Sequence, residues 1–296
     1  MKKICISGAT SFIAINLINR LKEKNYEIYA IIRKQSKNKN KIPKDKKIHL
    51  IELNMEDYKE LAKYINNCDV FFHFAWNGTR GNNRENKKIQ KSNYKYSKEL
   101  LKNINKLQCK IFVMAGSQAE YGIMRPKTKE TEHTRPLSYY GKEKLHFYRY
   151  AKKFCHNQKI KFYELRFFSL YGPEDDKNTL IMNCISKMLK NEDIDLTSGN
   201  QQWNYLYIKD AVEILIRIIS GDYPGGIYNI GSSTTRRLKD YILEIKNITN
   251  SNSKLNFGTI KSKELNLDPD ISKVSSTLKK KKKYSFEEGI KEIIQS

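Results

Sequence analysis

The 296-residue sequence predicts an α/β protein with a doubly wound parallel sheet, followed by a smaller C-terminal α/β lobe. Three observations favour this fold class. Apolar runs of strand length alternate with longer amphipathic runs over the first two thirds of the chain. The run Asp69–Ala75 (DVFFHFA) is almost continuously apolar, as is typical of a strand buried on both faces. The last third alternates less regularly, which indicates an appended lobe.

The first strand and the first helix enclose a turn of small residues. Residues 2–7 (KKICIS) form a short apolar strand, and the amphipathic helix that follows ends near Lys24. Between them, Gly8, Ser11 and Ala14 occupy the three glycine positions of a G-x-x-G-x-x-G pattern. A turn of this kind lets a pyrophosphate approach the backbone N–H groups at the helix N-terminus. The segment therefore predicts a dinucleotide-binding turn.

The end of the second strand bears on the choice of dinucleotide. Strand Tyr26–Ile32 is followed by Arg33 and Lys34 rather than by an acidic residue. An Asp or Glu at this point accepts hydrogen bonds from a ribose 2′-hydroxyl, whereas an arginine accommodates a 2′-phosphate. The sequence therefore favours NADP(H), with NAD(H) as the alternative.

The next elements continue the alternation towards residue 170. The predicted strands are 48–53, Asp69–Ala75, 110–116 and Lys161–Phe168, and the predicted helices are 86–107 and 138–157. Asn54 and Met55 follow the first of these strands, where an adenine pocket is expected. Trp76 opens a loop at the carboxyl end of the next strand, the edge at which α/β proteins bind ligands. Asn93, on helix 86–107, is expected to face the cofactor.

The domain organisation follows from this alternation. Residues 1–170 are predicted to form the dinucleotide-binding domain, to which segment 205–232 returns, and residues 171–204 and 233–296 form a substrate-binding lobe. Within the last third, the predicted helices are 177–190, 209–220, 237–249 and 286–294, and the predicted strands are 205–207 and 227–231. The otherwise polar stretch 251–283 ends in the lysine run 279–283, which is interpreted as a solvated loop. His73 lies inside a strand and is interpreted as a core histidine.

A second set of residues carries chemistry rather than binding. Tyr140 and Lys144 are four residues apart, so on a helix both side chains project from one face. A lysine cation beside a tyrosine stabilises the phenolate and lowers the pKa of the phenol, which makes it a more useful acid near neutrality. Strand 110–116 delivers Ser117, a hydroxyl that could hold a substrate carbonyl beside Tyr140.

Composition excludes several classes of function. The formal net charge is +24, but the excess is lysine spread along the whole chain without an aromatic-basic module, so a nucleic-acid partner is not expected. A basic surface still favours an anionic substrate. The five cysteines lack metal-ligand spacing, and reduced structural cysteines and no metal are expected. The sequence shows neither a signal peptide nor an apolar stretch of membrane-spanning length, so a cytoplasmic protein without membrane insertion is predicted.

Taken in order, these motifs identify a family resemblance. The chain resembles the extended short-chain dehydrogenase/reductases, in the NAD-dependent epimerase/dehydratase branch that largely acts on nucleotide-activated sugars. The similarity runs through segments over nearly the whole length: Gly8–Ala14, Asp69–Ala75, Ser117–Gly122, Tyr140–Lys144, Leu165–Pro173, Tyr205–Asp210, Tyr228–Gly231 and Phe286–Gly289. The resemblance implies a Rossmann-type domain and a nucleotide-sugar substrate. It also implies a homodimer in which helices 86–107 and 138–157 form a four-helix bundle with their copies.

The resemblance also assigns roles to individual positions. Ser117, Tyr140 and Lys144 would be the catalytic residues, and the last two would also contact the cofactor. The other cofactor contacts would come from Gly8, Thr10, Ser11, Phe12, Ile13, Ala75 and Phe168, in addition to Arg33, Lys34, Asn54, Met55 and Asn93. The substrate would be held by Trp76, Ser117, Gln118, Ser169 and Trp203.

Departures from the family pattern narrow the reaction. Gln118 and Ala119 stand where 4,6-dehydratases of the family have an Asp-Glu pair, and Ala119 stands where the GDP-fucose-synthase type has a cysteine. Trp203 and Ser169 stand where the family often has arginine and asparagine, which leaves the nucleotide open. What remains is hydride chemistry, either in a 4-ketosugar reductase or in a 4-epimerase with tightly held NAD. Arg33 favours the NADPH-dependent reductase. A non-catalytic dinucleotide sensor is a third alternative, which the intact Ser, Tyr and Lys set disfavours.

Overall fold

A seven-stranded sheet forms the centre of the computed structural model, which describes residues 1–261, 265–279 and 283–296. Its strands lie in the order β11-β6-β5-β4-β1-β2-β3, and every pairing from β3 across to β6 is parallel. The strands are β1 (Lys2–Ser7), β2 (Tyr26–Ile32), β3 (Ile48–Glu52), β4 (Val70–His73), β5 (Ile111–Ser117), β6 (Lys161–Phe167) and β11 (Gly226–Ile230). The chain runs outward from β1 to β3 and then returns to β4 on the other side of β1. This reversal is the switch point of a doubly wound sheet, where ligands bind beyond the carboxyl ends of the strands.

Three long helices connect these strands. They are α1 (Phe12–Leu21), α2 (Lys87–Lys106) and α3 (Tyr139–Asn157). The Asn86 side chain caps α2 by accepting from the Ile89 N–H, and the Ser138 hydroxyl caps α3 by accepting from the Gly141 N–H at 3.1 Å. A 3₁₀ helix at Met55–Lys63 was not predicted, although Met55, Tyr58 and Leu61 recur every third residue and form its buried face.

The core between the sheet and helices α2 and α3 is rich in aromatic side chains. Phe71, Phe112 and Phe147 are fully buried there. His73 lies among them, with its Nδ1 2.7 Å from the Ser7 hydroxyl and its Nε2 2.8 Å from the Ser97 hydroxyl. Burial, with a smaller contribution from the Lys144 charge, lowers the pKa of His73 to about 3. The imidazole is therefore neutral at physiological pH, and its prediction as a core histidine is confirmed.

The chain divides into two units, and β1–β6 with α1–α3 belong to the first, which comprises residues 1–122, 131–167 and 215–228. The second unit comprises residues 123–130, 168–214 and 229–296. The boundary that was predicted after residue 170 lies between residues 167 and 168. Of the predicted returning segment 205–232, only residues 215–228 belong to the first unit, and residues 123–130 belong to the second.

Short strands held in pairs characterise the second unit. They are β7 (Ser169–Tyr171) with β10 (Tyr205–Tyr207), β8 (Ile194–Leu196) with β13 (Leu255–Phe257), and β9 (Gln202–Trp203) with β12 (Arg236–Arg237). Among the described residues, the remaining α-helices are α4 (Leu180–Met188), α5 (Ile208–Ser220), α6 (Leu238–Ile248), α7 (Ser272–Thr277) and α8 (Phe286–Gln295). The polar stretch 251–283 thus contains β13 and α7, while residues 280–282 of the predicted lysine loop lie outside the described residues.

Two further findings concern the chain as a whole. Within residues 1–261, 265–279 and 283–296, no helix combines the length and the apolar character that a membrane span requires. All five cysteines are buried and reduced.

Candidate active site

A cavity of about 280 Å³ opens in the first unit at the carboxyl ends of the neighbouring strands β1 and β4. Seven residues predicted to bind cofactor or substrate line it: Gly8, Thr10, Ser11, Arg33, Met55, Ala75 and Trp76. Side chains that the sequence did not single out complete the wall, among them Asn38 and the buried Tyr58. The cavity therefore brings together residues from four separate strand ends.

The turn after β1 fits a dinucleotide pyrophosphate. Gly8 has a φ of +68°, and a Cβ added there would lie 2.6 Å from the backbone nitrogen of Ala75. Only glycine therefore permits this close approach of two backbones at the cavity. The buried Ser11 hydroxyl, at the start of α1, is without a hydrogen-bond partner within the described residues. An orphaned hydroxyl beside a helix N-terminus is suited to an anionic oxygen.

The two basic residues after β2 differ in what they contact. Arg33 lines the cavity and is exposed. Lys34 points to the outside, where its ammonium lies 3.0 Å from the Asp57 carboxylate and its N–H donates to the Asn54 side chain. Of the two cations, only Arg33 therefore lines the cavity, whereas Lys34 and Asn54 tie the ends of β2 and β3 together.

The loop after β4 is held by two buried amide side chains. The Gln90 amide accepts from the Trp76 indole N–H at 2.8 Å and donates to the Gly78 carbonyl at 2.8 Å. The Asn93 amide exchanges two hydrogen bonds with the main chain of Asn77. Asn93 thus supports the cavity wall through Asn77 rather than lining the cavity itself. Gln90 was missed in the sequence, although its place on the inner face of a predicted helix was a signal.

Ser117, Tyr140 and Lys144 come together at the carboxyl end of β5. Ser117 ends this strand and Tyr140 and Lys144 lie in the first two turns of α3. The Ser117 side chain lies close enough to Tyr140 to lower the pKa of its phenol. The Lys144 ammonium donates to the Ala115 carbonyl at 2.7 Å and lies 4.0 Å from the centre of the Trp76 ring. The arrangement presents two neighbouring hydroxyls beside a buried cation.

The electrostatics of Tyr140 differ from the prediction. Burial raises the pKa of Tyr140 above its ordinary value, against the hydrogen bond from Ser117 and the charge of Arg84, both of which lower it. Arg84 was missed in the sequence, and its guanidinium lies 4.4 Å from the centre of the Tyr140 ring. Lys144 is farther away, with its ammonium 5.9 Å from that centre. The cation that acts most directly on Tyr140 is therefore Arg84, a residue of the loop after β4.

The other predicted residues lie at separate places. Phe12 and Ile13 occupy the first turn of α1, and Gln118 is half-exposed in a short 3₁₀ helix after β5. Phe168, Ser169 and Trp203 belong to the second unit. Phe168 is buried and donates its N–H to the Ile230 carbonyl, Ser169 begins β7, and Trp203 lies in β9.

A doubly wound sheet, a glycine turn at its switch point and a Ser, Tyr and Lys cluster after β5 are the features of a short-chain dehydrogenase/reductase. Residues 4–231 match the model of the NAD dependent epimerase/dehydratase family, and the chain belongs to this family. The resemblance noted in the sequence is thereby confirmed.

Individual proteins are similar to the chain over nearly its whole length. It is 28% identical over 306 residues to the CDP-abequose synthase of Salmonella muenchen, covering 99% of this chain and 97% of that protein. A UDP-glucuronic acid 4-epimerase from Bacillus cereus in complex with NAD has a TM-score of 0.85 at 22% identity, with 99% of each chain covered. A UDP-glucose 4-epimerase from Thermotoga maritima with UDP-glucose has a TM-score of 0.89 at 21% identity, covering 99% of this chain and 97% of the other. These structures confirm the predicted fold class.

Proposed function

We propose that the protein reduces a nucleotide-linked ketosugar with NADPH. The observation that carries this proposal is the grouping of the Ser117 and Tyr140 side chains with the Lys144 cation at the carboxyl edge of the sheet. Similarity to a CDP-abequose synthase supports a substrate in which the sugar is linked to a nucleotide. The exposed cation of Arg33 in the cavity wall supports NADPH as the reductant.

Each residue of the cluster has a distinct role in this proposal. When bound, the dinucleotide supplies the hydride. Ser117 donates a hydrogen bond to the substrate carbonyl oxygen and so orients the carbonyl beside Tyr140. Tyr140 gives its phenolic proton to that oxygen as the alcohol forms, and the Arg84 and Lys144 charges stabilise the phenolate that remains. Lys144 also binds the nicotinamide ribose.

Two neighbouring positions argue against elimination chemistry. A dehydratase needs an acid and a base after the catalytic hydroxyl residue, whereas this chain has Gln118 and Ala119 there. An amide and a methyl group do not exchange protons in the neutral pH range. The remaining residues support hydride transfer, either to a carbonyl carbon or from the carbon of the corresponding alcohol.

A 4-epimerase is the second candidate function. Similar structures are 4-epimerases, and the Bacillus cereus enzyme is in complex with NAD. An epimerase oxidises a sugar carbon and reduces it again from the other face, so the same Ser117, Tyr140 and Lys144 set serves both reactions. The two candidates differ in whether reduced cofactor is consumed.

The experiment that separates them is a stoichiometric assay of the purified protein. We expect nucleotide-linked 4-ketohexoses to consume NADPH, with one alcohol formed for each NADPH oxidised. Interconversion of UDP-sugar C4 epimers, without net change in a co-purifying NAD, would replace the reductase by the epimerase. A protein that binds dinucleotide and turns over neither substrate would favour the sensor.

Cofactor preference gives a second prediction, which is read through Arg33. If its guanidinium binds the 2′-phosphate with charge-assisted hydrogen bonds, NADPH should bind about ten- to a hundredfold more tightly than NADH. Arg33→Ala should remove most of this difference and Arg33→Asp should reverse it, because a carboxylate repels the phosphate. Calorimetric titration with both reduced cofactors measures the ratio.

Lys34→Ala is the matched control for this experiment. Lys34 is paired with Asp57 outside the cavity, so its removal should leave the ratio of the two affinities unchanged. Equal affinities for NADH and NADPH in the wild type, with no response to Arg33→Ala, would contradict the assignment of Arg33.

We also propose a symmetric homodimer through α2 and α3. A stripe of half-buried aromatic residues on these helices, with Tyr150 stacked on Phe154 and Lys98 placed over Tyr94 and Tyr150, supports this proposal. The exposed residues beside the stripe are mostly basic, so salt should strengthen the association by screening their repulsion. Light scattering at increasing salt tests it, and a monomer at every salt concentration would refute the proposed interface.

A further inference from the structure

A buried group of charged side chains lies directly behind Ser117, and the proposed chemistry does not use it. Glu120 and Glu164 are completely buried and Arg166 is 1% exposed. The Arg166 guanidinium lies 3.1 Å from the Glu164 carboxylate and 3.7 Å from the Glu120 carboxylate. Buried charges are costly unless they are balanced, so a cluster of this kind needs a reason.

The three side chains converge on one point below the site. A Cβ added at Gly116 would lie 2.9 Å from Glu164, 3.1 Å from Arg166 and 3.1 Å from the Glu120 carboxylate oxygen. Gly116 immediately precedes Ser117 on β5. The cluster therefore fills the space that a side chain at this position would take.

Glu120 is also tied to Ser117 directly. Its carboxylate accepts the Ser117 N–H at 2.8 Å, while the Ser117 hydroxyl accepts the Ala119 N–H at 3.2 Å. These reciprocal bonds form a capping box, which fixes the backbone from which the Ser117 hydroxyl projects. One member of the cluster thus positions a residue of the proposed active site.

The charges of the cluster balance only when Lys144 is included. Two carboxylates and one guanidinium leave one negative charge, and the Lys144 ammonium is a second cation, 3% exposed. Glu120 and Glu164 are the carboxylates whose charges act on Lys144, both favouring its protonated form. The groups that act on Lys144 or Tyr140 from the surrounding elements are Glu120, Glu164, Arg84, the neutral His73 and the Ser117 hydroxyl, and Arg166 acts through its pairing with the two glutamates.

We propose that Glu120, Glu164 and Arg166 form the buried counter-charge of Lys144 and hold this lysine as a cation in the neutral pH range. They are positioning residues, because they act on the substrate only through Ser117 and Lys144. The role of Lys144 in turnover rests on the proposed function, whereas the charge balance does not.

Burial opposes the charges of both Lys144 and Glu164, and the opposite charges of the cluster act against that effect. Burial lowers the pKa of Lys144 to about 8, against the attraction of Glu120 and Glu164, which raises it. Burial, together with the charge of Glu120, raises the pKa of Glu164 well above that of an ordinary glutamate. The two groups move towards each other, as expected of a pair that competes for one proton.

The experiment measures the titration midpoint of Lys144 itself. Lysine side chains labelled with ¹³C and ¹⁵N report their protonation by NMR, and the Lys144 signal is assigned by its loss in Lys144→Arg. In Glu164→Gln, we expect the midpoint to fall by about one pH unit or more, because the nearby negative charge is lost while the shape is kept. Glu120→Gln should act in the same direction.

The sign of the change separates an electrostatic role from a structural one. If Glu164 only held the fold together, Glu164→Gln would loosen the site, admit water and raise the midpoint towards that of surface lysines. Glu143→Gln is the matched control. Glu143 is a buried glutamate next to Lys144 on α3, and its carboxylate pairs with His146. A midpoint in Glu164→Gln that is raised, or equal to that of Glu143→Gln, would overturn the proposal.

The wild-type protein supplies a test if the variants do not fold. Infrared difference spectra recorded across the Lys144 transition should show carboxyl bands that change with the same midpoint, because coupled groups titrate together. A lysine transition without any carboxyl change would refute the counter-charge. These measurements need no substrate, so a shifted Lys144 midpoint in a protein that oxidises no NADPH with any nucleotide-linked 4-ketohexose would reject the proposed function and leave this inference standing.

Discussion

Tyr140→Phe is expected to lower turnover of a nucleotide-linked ketosugar by about a hundred- to ten-thousandfold. The substitution removes the phenolic proton and leaves the ring, which packs edge-on against Trp76 with 6.4 Å between ring centres. Dinucleotide affinity should stay within a few-fold of wild type, because the glycine turn and the Arg33 side chain are untouched. A loss in kcat without a loss of binding identifies a group that acts in the chemical step.

The neighbouring residue provides the control for this variant. Tyr139→Phe makes the same chemical change at a half-exposed ring, which contacts Lys87 and Lys142. We expect Tyr139→Phe to turn over substrate like the wild type. If Tyr140→Phe did the same, the assignment of the proton donor would be wrong.

Gly8→Ala is expected to destabilise the protein by about 2–5 kcal/mol and to abolish dinucleotide binding. The new methyl group would meet the Ala75 backbone at 2.6 Å while its residue is held at a φ of +68°. The nearest atoms all belong to the backbone of Phe74 and Ala75, so the clash can be relieved only if a backbone segment moves. That movement displaces the turn on which the pyrophosphate would rest. Denaturant unfolding and calorimetric titration measure the two effects.

A second glycine with the same backbone preference isolates the crowding. Gly258 has a φ of +88°, and nothing lies within 4 Å of a Cβ added there. Gly258→Ala therefore carries the cost of the left-handed conformation alone, about 1–2 kcal/mol, and should leave cofactor binding intact. Equal effects of the two substitutions would show that the close approach at Gly8 is unimportant.

The fold of the first unit was predictable because its inner strands, such as β4 and β5, are buried on both faces. Such strands read as short apolar runs, and strands 110–116 and Lys161–Phe168 were placed to within a residue of β5 and β6 at either end. Prediction failed where short elements carry few apolar residues. The strand Leu255–Phe257 and the helix Ser272–Thr277 lie in a polar stretch, and their positions depend on pairing and packing that periodicity does not record.

The site was predictable in its motifs and not in its supporting contacts. Gly8 and Arg33 were recognised from their positions after β1 and β2, and the structure places both in one cavity. Arg84 was missed because its contact with Tyr140 depends on how a loop folds. Glu164 was missed for a different reason. Its charge inside an apolar strand is visible in the sequence, but the sequence does not show that the side chain is completely buried.

The position of Trp76 gives the protein an optical probe of its own active site. The chain has two tryptophans, and Trp76 is the one whose ring lies 4.0 Å from the Lys144 ammonium. Indole emission responds to a charge held this close, so the fluorescence of a Trp203→Phe variant should follow the protonation of Lys144. A reduced nicotinamide bound in the adjoining cavity would quench the same emission by energy transfer. Both the titration of the lysine and the arrival of the cofactor can therefore be followed without labels, before any substrate of the protein is identified.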